Sequence, residues 1–255
     1  MLKNLFFCFV TVLLHAQTYQ LEVQDSVKVN YDMYWGQDVL QSSYFSSQNN
    51  IYKLTQTDTL IYTSNVAGNL TQVECYSGLQ VLLFYKNTNK LVVLDNLFNE
   101  IKTIIFTNML IDFVKPASQN ECWFYDAHTQ KIGLYNYFSN SYKWISIILT
   151  SPPKNIHSTI NFFYWVNQNN EWYQLDKFGK ITFLGNFEDN LDVVAMNEKE
   201  LFFTKNNQLY LLLAHNEQLY DLGSTKKMIK KIFYQNGILA IFTNSLLTNY
   251  KLKIQ

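Results

Sequence analysis

Three features of the sequence predict an all-β chain. Short runs rich in β-branched and aromatic residues are separated by polar turns, they have strand rather than helix length, and their spacing repeats from one end of the chain to the other. The clearest copy of the repeat spans 191–223. It reads as four strands: 191–196, then 200–205 after the turn Asn197-Glu198-Lys199, then 208–213 after Asn206-Asn207, then 218–222 after His215-Asn216-Glu217, closed by Gly223. A single meander of this size cannot bury both of its faces, so it requires copies of itself packed alongside.

Those copies are present. Aligned on the third strand, the units begin at Ile51, Leu91, Ile132, Trp172, Leu209 and Leu246, with separations of 40, 41, 40, 37 and 37 residues. Each start is preceded by a polar turn and an apolar strand. Examples are Leu83-Phe84-Tyr85 before 86–90, Trp123-Phe124-Tyr125 before 126–129, and Tyr164-Trp165-Val166 before 167–170. Six copies of a four-stranded unit predict a six-bladed β-propeller of antiparallel blades forming one domain over 17–255.

The two ends of the chain support a closed ring. The last unit, 228–255, supplies three strands, whereas 18–29 alternates with apolar Tyr19, Leu21, Val23, Val27 and Val29 and has no unit of its own. Strand 18–24 is therefore expected to complete the sixth blade, since closure removes the exposed edges that would template aggregation. Ahead of it, residues 1–16 carry Lys3, an apolar run from Leu5 to Leu14 and the junction His15-Ala16-Gln17, the pattern of a cleaved export signal. A periplasmic location is expected, with the extracellular side as the alternative.

Composition narrows the function classes. Twenty basic and twenty acidic residues cancel, every basic residue is a lysine, and there are only eight glycines. Without a net field, without the bidentate guanidinium fork and without glycine-rich backbone cradles, the chain is poorly suited to nucleic acid or nucleotides. No cofactor is expected, and no segment approaches the roughly 20 apolar residues of a membrane helix. Beyond the signal, Cys75 and Cys122 fall on strands of different rank in adjacent units, so two buried free thiols are expected.

No grouping of nucleophile, base and acid or of metal ligands stands out, and a non-enzyme is expected. The most suggestive pattern is Asp32, Asp112 and Asp192, placed 80 residues apart on the innermost strands of alternate units. Together with His157 these are candidate channel-lining residues, with Glu74 and Lys230 as looser matches. Of the other histidines, His128 and His215 sit in turns on opposite faces. Candidate partner-contact residues lie in the longer loops 136–142 and 149–157, namely Tyr137, Phe138, Tyr142, Pro152 and Pro153. The lysine-rich segment 226–231 reads as a solvated turn entering a strand.

The junction Leu14-His15-Ala16-Gln17, the abundance of Asn, Lys, Ile, Phe and Tyr, and the repeat itself resemble small exported propellers of Bacteroidetes envelopes, of the kind that plugs the type 9 secretion translocon. Asp25-Ser26-Val27 and Asp58-Thr59-Leu60 look like that group's O-glycosylation sites, at Ser26 and Thr59. The resemblance implies a non-catalytic subunit of an envelope or secretion complex, a monomer bound to an outer-membrane component. A glycan-binding module is the alternative, and a propeller hydrolase or lyase follows it.

Overall fold

The computed structural model describes residues 18–66, 68–75, 77–118, 120–186, 194–206, 208–214, 218–224 and 228–254. The expected export signal, Asp192, His215 and the first two lysines of 226–231 lie outside the described residues. The first strand is β1 (Tyr19–Lys28). Blade 1 follows as β2 (Met33–Gln37), β3 (Ser43–Ser47), β4 (Asn50–Leu54) and β5 (Thr59–Thr63), and blade 2 as β6 (Gln72–Glu74), β7 (Gln80–Tyr85), β8 (Lys90–Asp95) and β9 (Glu100–Ile105). Blade 3 comprises β10 (Ile111–Pro116), β11 (Glu121–Asp126), β12 (Lys131–Asn136) and β13 (Ser141–Trp144). Blade 4 comprises β14 (Pro153–Ser158), β15 (Phe162–Asn167), β16 (Glu171–Asp176) and β17 (Ile181–Asn186). Blade 5 comprises β18 (Val194–Met196), β19 (Glu200–Lys205), β20 (Gln208–Leu213) and β21 (Leu219–Ser224). Blade 6 has β22 (Lys231–Gln235), β23 (Ile238–Phe242) and β24 (Leu246–Ile254), with β1 as its fourth strand.

The result is a six-bladed propeller in which each blade is a four-stranded antiparallel meander. Neighbouring innermost strands touch in the cycle β2, β6, β10, β14, β18, β22 and back to β2, so the ring is closed. The six expected third strands are β4, β8, β12, β16, β20 and β24. The N-terminal segment is one strand, and it extends beyond the expected 18–24 to Lys28. It runs antiparallel to β24 from Tyr19 opposite Ile254 to Lys28 opposite Leu246, with a bulge at Gln24 that absorbs the break in alternation between Val23 and Val27. Among the described residues no helix is long and apolar enough to cross a membrane.

Among the described residues the core falls into six apolar clusters, each lying between two adjacent blades. Leu82, Phe84 and Leu91 pack with Cys122, Phe124 and Tyr135 between blades 2 and 3, whereas Val81, Leu83 and Tyr85 of the same strand pack with Tyr44 and Ile51 of blade 1. The second strands therefore read as continuous apolar runs because both of their faces are buried. Trp123, Phe124, Phe163 and Trp172 are fully inaccessible to solvent. Cys75 and Cys122 are buried free thiols in different clusters. The cluster between blades 6 and 1 is small, built from Tyr34, Phe45, Ala240, Phe242 and Leu247. Its inner end is completed by Gly36, at φ +131°, where an added Cβ would lie 2.7 Å from the Phe233 ring. Only glycine lets that ring rest on the backbone.

Removal of residues 19–28 should leave β24 as an unpaired edge and loosen the seam between blades 6 and 1. A loss of about 4 kcal/mol, or roughly 10 °C in Tm for a domain of this size, is expected by calorimetry. An unchanged melt would refute the closing role of β1. Gly36→Ala should cost about 2 kcal/mol, and Phe233→Ala in the same chain should recover part of that loss, because it removes the ring that the new methyl group meets.

Candidate functional site

The innermost strands run from the face bearing the blade-to-blade connections, here the back, to the face bearing the first-to-second and third-to-fourth strand turns, here the front. Their registers place equivalent residues at equal depth. Glu74 faces Leu82, Lys115 faces Trp123, His157 faces Tyr164, Ala195 faces Phe202 and Phe233 faces Ala240. In blade 1 a bulge between Tyr34 and Gly36 inserts Trp35 at this level. Six blades thus contribute one tier to the channel wall: Trp35, Glu74, Lys115, His157, Ala195 and Phe233. A second tier toward the back holds Gln72, Asn155 and Lys231. Between the tiers lies a cavity of about 230 Å³, continuous through shared wall residues with a smaller space of about 90 Å³ toward the front.

The chemistry of the wall is uneven. Lys115 Nζ lies 2.7 Å from Glu74 Oε1, with both side chains mostly buried. Lys231 Nζ sits 5.5 Å from the centre of the Trp35 ring, and Trp35 is itself pinned by its indole N–H donating to Ser46 Oγ at 2.9 Å. Burial, with Lys115 adding repulsion, pulls the Lys231 ammonium below its ordinary pKa. The same two causes, burial first, bring His157 down to about 3, so its imidazole is neutral at physiological pH. Cys75 borders the front space, and burial pushes its thiol well up, away from the thiolate form. Among the described residues no group of three His, Cys, Asp or Glu side chains is placed to hold a metal.

The sequence-derived candidates separate in the structure. His157 lies on the channel wall. Asp32, at the back mouth, accepts hydrogen bonds from Ser47 Oγ at 2.7 Å and the Gln48 amide at 3.2 Å, and these hold its carboxyl below the usual range. Asp112 occupies the bulge of β10 and pairs with Lys86 of the preceding blade. Both aspartates are thus drawn toward second-to-third strand turns. The residues that sequence reasoning missed are Trp35, Lys115 and Lys231, and it gave Glu74 only a minor place. The available signal was a charged or aromatic residue within the short innermost strands of blades 1, 2, 3 and 6.

The two contact loops fall on opposite faces. Phe138, 79% exposed, tops a front turn, whereas Pro152 is exposed at the back. Tyr142 is half exposed on the rim strand β13. Tyr137 is buried, its hydroxyl donating to Gln80 Oε1 of blade 2 at 2.5 Å, and Pro153 is buried at the start of β14, a strand that occupies most of the expected loop 149–157. Ser26 and Thr59 are on exposed strand positions, and the Ser26 hydroxyl lies 2.9 Å from Thr248 Oγ1.

Phe138 belongs to a series. In three successive front turns the side-chain oxygen of Asp95, Asn136 or Asp176 accepts from the amide two residues on, at 2.9, 3.0 and 2.8 Å, and that residue is Leu97, Phe138 or Phe178. These apolar tips are 64, 79 and 97% exposed. Leu40 and Leu79 are presented likewise by Asp38 and Ser77, and Ile160 by the turn of blade 4. Leu79, Ile101 and Ile160 edge a front recess of about 430 Å³. The back face carries fewer exposed apolar side chains, Leu110, Ile147, Ile148 and Met228.

These features define a six-bladed β-propeller protein. No family model matches the chain, and no curated protein matches it. Solved structures share the fold. A catalytically inactive virginiamycin B lyase from Staphylococcus aureus with quinupristin has TM-score 0.60 and 14% identity, covering 95% of this chain and 97% of that one. A streptogramin B lyase has TM-score 0.60 and 11% identity over 93% and 98%. A protein of unknown function from Bacteroides thetaiotaomicron VPI-5482 has TM-score 0.63 and 11% identity over 93% and 77%. At such identities the likeness is one of fold alone.

His157 sets an acid limit on stability. Its imidazole binds a proton near pH 6.5 when unfolded and near 3 when folded, so its contribution is complete above pH 6.5 and declines as pH falls toward 3. The slope is at most about 1.4 kcal/mol per pH unit. His157→Gln should flatten Tm against pH in that window, and an unaltered profile would contradict the burial argument. Glu74→Gln alone should cost roughly 2 kcal/mol by stranding Lys115, while adding Lys115→Met should recover most of it.

Proposed function

We propose that the protein is a non-catalytic interaction propeller: an exported subunit of a bacterial envelope or secretion complex that docks by its front face on an outer-membrane component in the periplasm. The observation that carries this reading is the row of apolar turn tips, Leu40, Leu79, Leu97, Phe138, Ile160 and Phe178, held outward on one face. Five of them, all but Ile160, sit two residues after a side chain that fixes the turn, so presenting them to a partner costs little ordering entropy. Several exposed apolar side chains on one face, two of them phenylalanine, mark a surface for contact. The export signal expected at the N-terminus and the resemblance to translocon plugs favour an envelope partner. A rigid disc seated face-on at a channel mouth would occlude it.

The test is recovery from the native envelope. Tagged chain should bring down a stoichiometric outer-membrane protein, and Leu97→Ser/Phe138→Ser/Phe178→Ser should reduce that recovery more than tenfold without altering the melt, since loss of three apolar contacts weakens binding by several kcal/mol. Ile147→Ser/Ile148→Ser on the back should leave recovery intact. Undiminished recovery by the front-face variant would defeat the reading.

A further inference from the structure

The central cavity has a charge balance that the docking face does not explain. Four ionic groups border it: Glu74, Lys115, Lys154 and Lys231. Glu74 is matched by Lys115 at 2.7 Å, and neutral His157 adds no compensating charge. Two ammonium groups remain. Among the described residues Lys231 makes no direct ion pair or hydrogen bond, Glu74 attracts it only at longer range, and it rests against the Trp35 ring face. An unpaired ammonium in such a place is a cost to folding, which an anion in the cavity would offset. One wall donor lacks a protein hydrogen-bond partner as well, Gln235 Nε2 beside the smaller space, whereas Asn155 Oδ1 beside the larger is an unmatched acceptor that calls for a donor such as water rather than for an anion. Buried polar atoms of this kind mark places where something else completes the set.

The remaining wall selects the class of anion. Trp35 and Phe233 offer apolar surface on adjacent blades, in contact range of a hydrocarbon body. The chain has no arginine, and the cavity is lined by the innermost strands and by Thr71 just ahead of one of them, so neither a guanidinium fork nor a helix N-terminus is present there to grip phosphate. A volume of about 230 Å³ lies at the small end of ligand sites and suits a compact anion better than a nucleotide or an oligosaccharide. From these observations we infer that the channel is a binding site for a small dicarboxylate, with Lys231 and Lys154 holding the two carboxylates and Trp35 and Phe233 flanking the carbon chain. This site is independent of the front-face contact and stands or falls separately from it.

Isothermal titration of the full chain with succinate and glutarate, at constant ionic strength, tests the site. Acetate and inorganic phosphate serve as the competing probes. Saturable succinate or glutarate binding in the submillimolar range is expected, at least tenfold tighter than acetate or phosphate. Lys231→Met should weaken it more than tenfold while raising the ligand-free Tm, since an unpaired buried ammonium is replaced by an apolar side chain. Should Lys231→Met fail to fold, Lys154→Met supplies the same comparison, and Lys180→Met on the exposed front turn should bind as the parent does. The inference is overturned if neither dicarboxylate binds below about 10 mM, if phosphate binds as tightly, or if the channel-lysine variants bind unchanged.

Discussion

Burial of both faces of every blade is the constraint on which the rest of the structure depends. A four-stranded meander has two apolar sides, and each side is covered only when the next blade is in place. The alternation along a single second strand shows this directly: Leu82 and Phe84 belong to the core shared with blade 3, Val81, Leu83 and Tyr85 to the core shared with blade 1. No blade has a core of its own, so the ring forms as a cooperative whole, and its weakest point is the seam where the chain ends meet. That seam has the smallest cluster, supplemented by two devices, the β1–β24 ladder and the seating of Phe233 on Gly36.

Once the interblade spaces are filled, the channel and the turns are where residues are free of packing duty. The innermost strands are short and face the axis with alternate residues. There the chain places a compensated ion pair, a neutral imidazole and an ammonium whose nearest partner is an indole ring. The turns follow a different rule. Asp, Asn and Ser side chains tie them into fixed shapes, and the apolar residue at the tip is then presented rather than hidden. A rigid frame with an apolar face and a charged bore suits recognition, and the two surfaces are far enough apart in chemistry to serve different ligands.

Several local structures show how a repeat in sequence becomes irregular in space. Bulges interrupt the innermost strands at Trp35, Asp112 and Lys154. Each bulge adds one residue without a cross-strand partner and reverses which residues face the axis beyond it. In blade 1 this brings an indole into the channel. In blade 3 it turns an aspartate toward the lysine of the neighbouring turn.

The sequence by itself determined the number of blades, the position of every third strand and the strand shared by the two chain ends, because those follow from the period of apolar runs and from local turn chemistry, both of which are written in adjacent residues. It also placed Phe138 on an exposed turn. The wall of the channel was decided only by the tertiary structure. Trp35, Glu74, Lys115 and Lys231 belong to four different blades, their strands share no sequence pattern, and bulges break the simple alternation from which an inward orientation would be counted. Tyr137 and Phe138 are adjacent residues of one turn, yet the first is buried against Gln80 of blade 2 and the second stands in solvent. That difference depends on where the neighbouring blade sits, which a repeat read along a single chain does not encode.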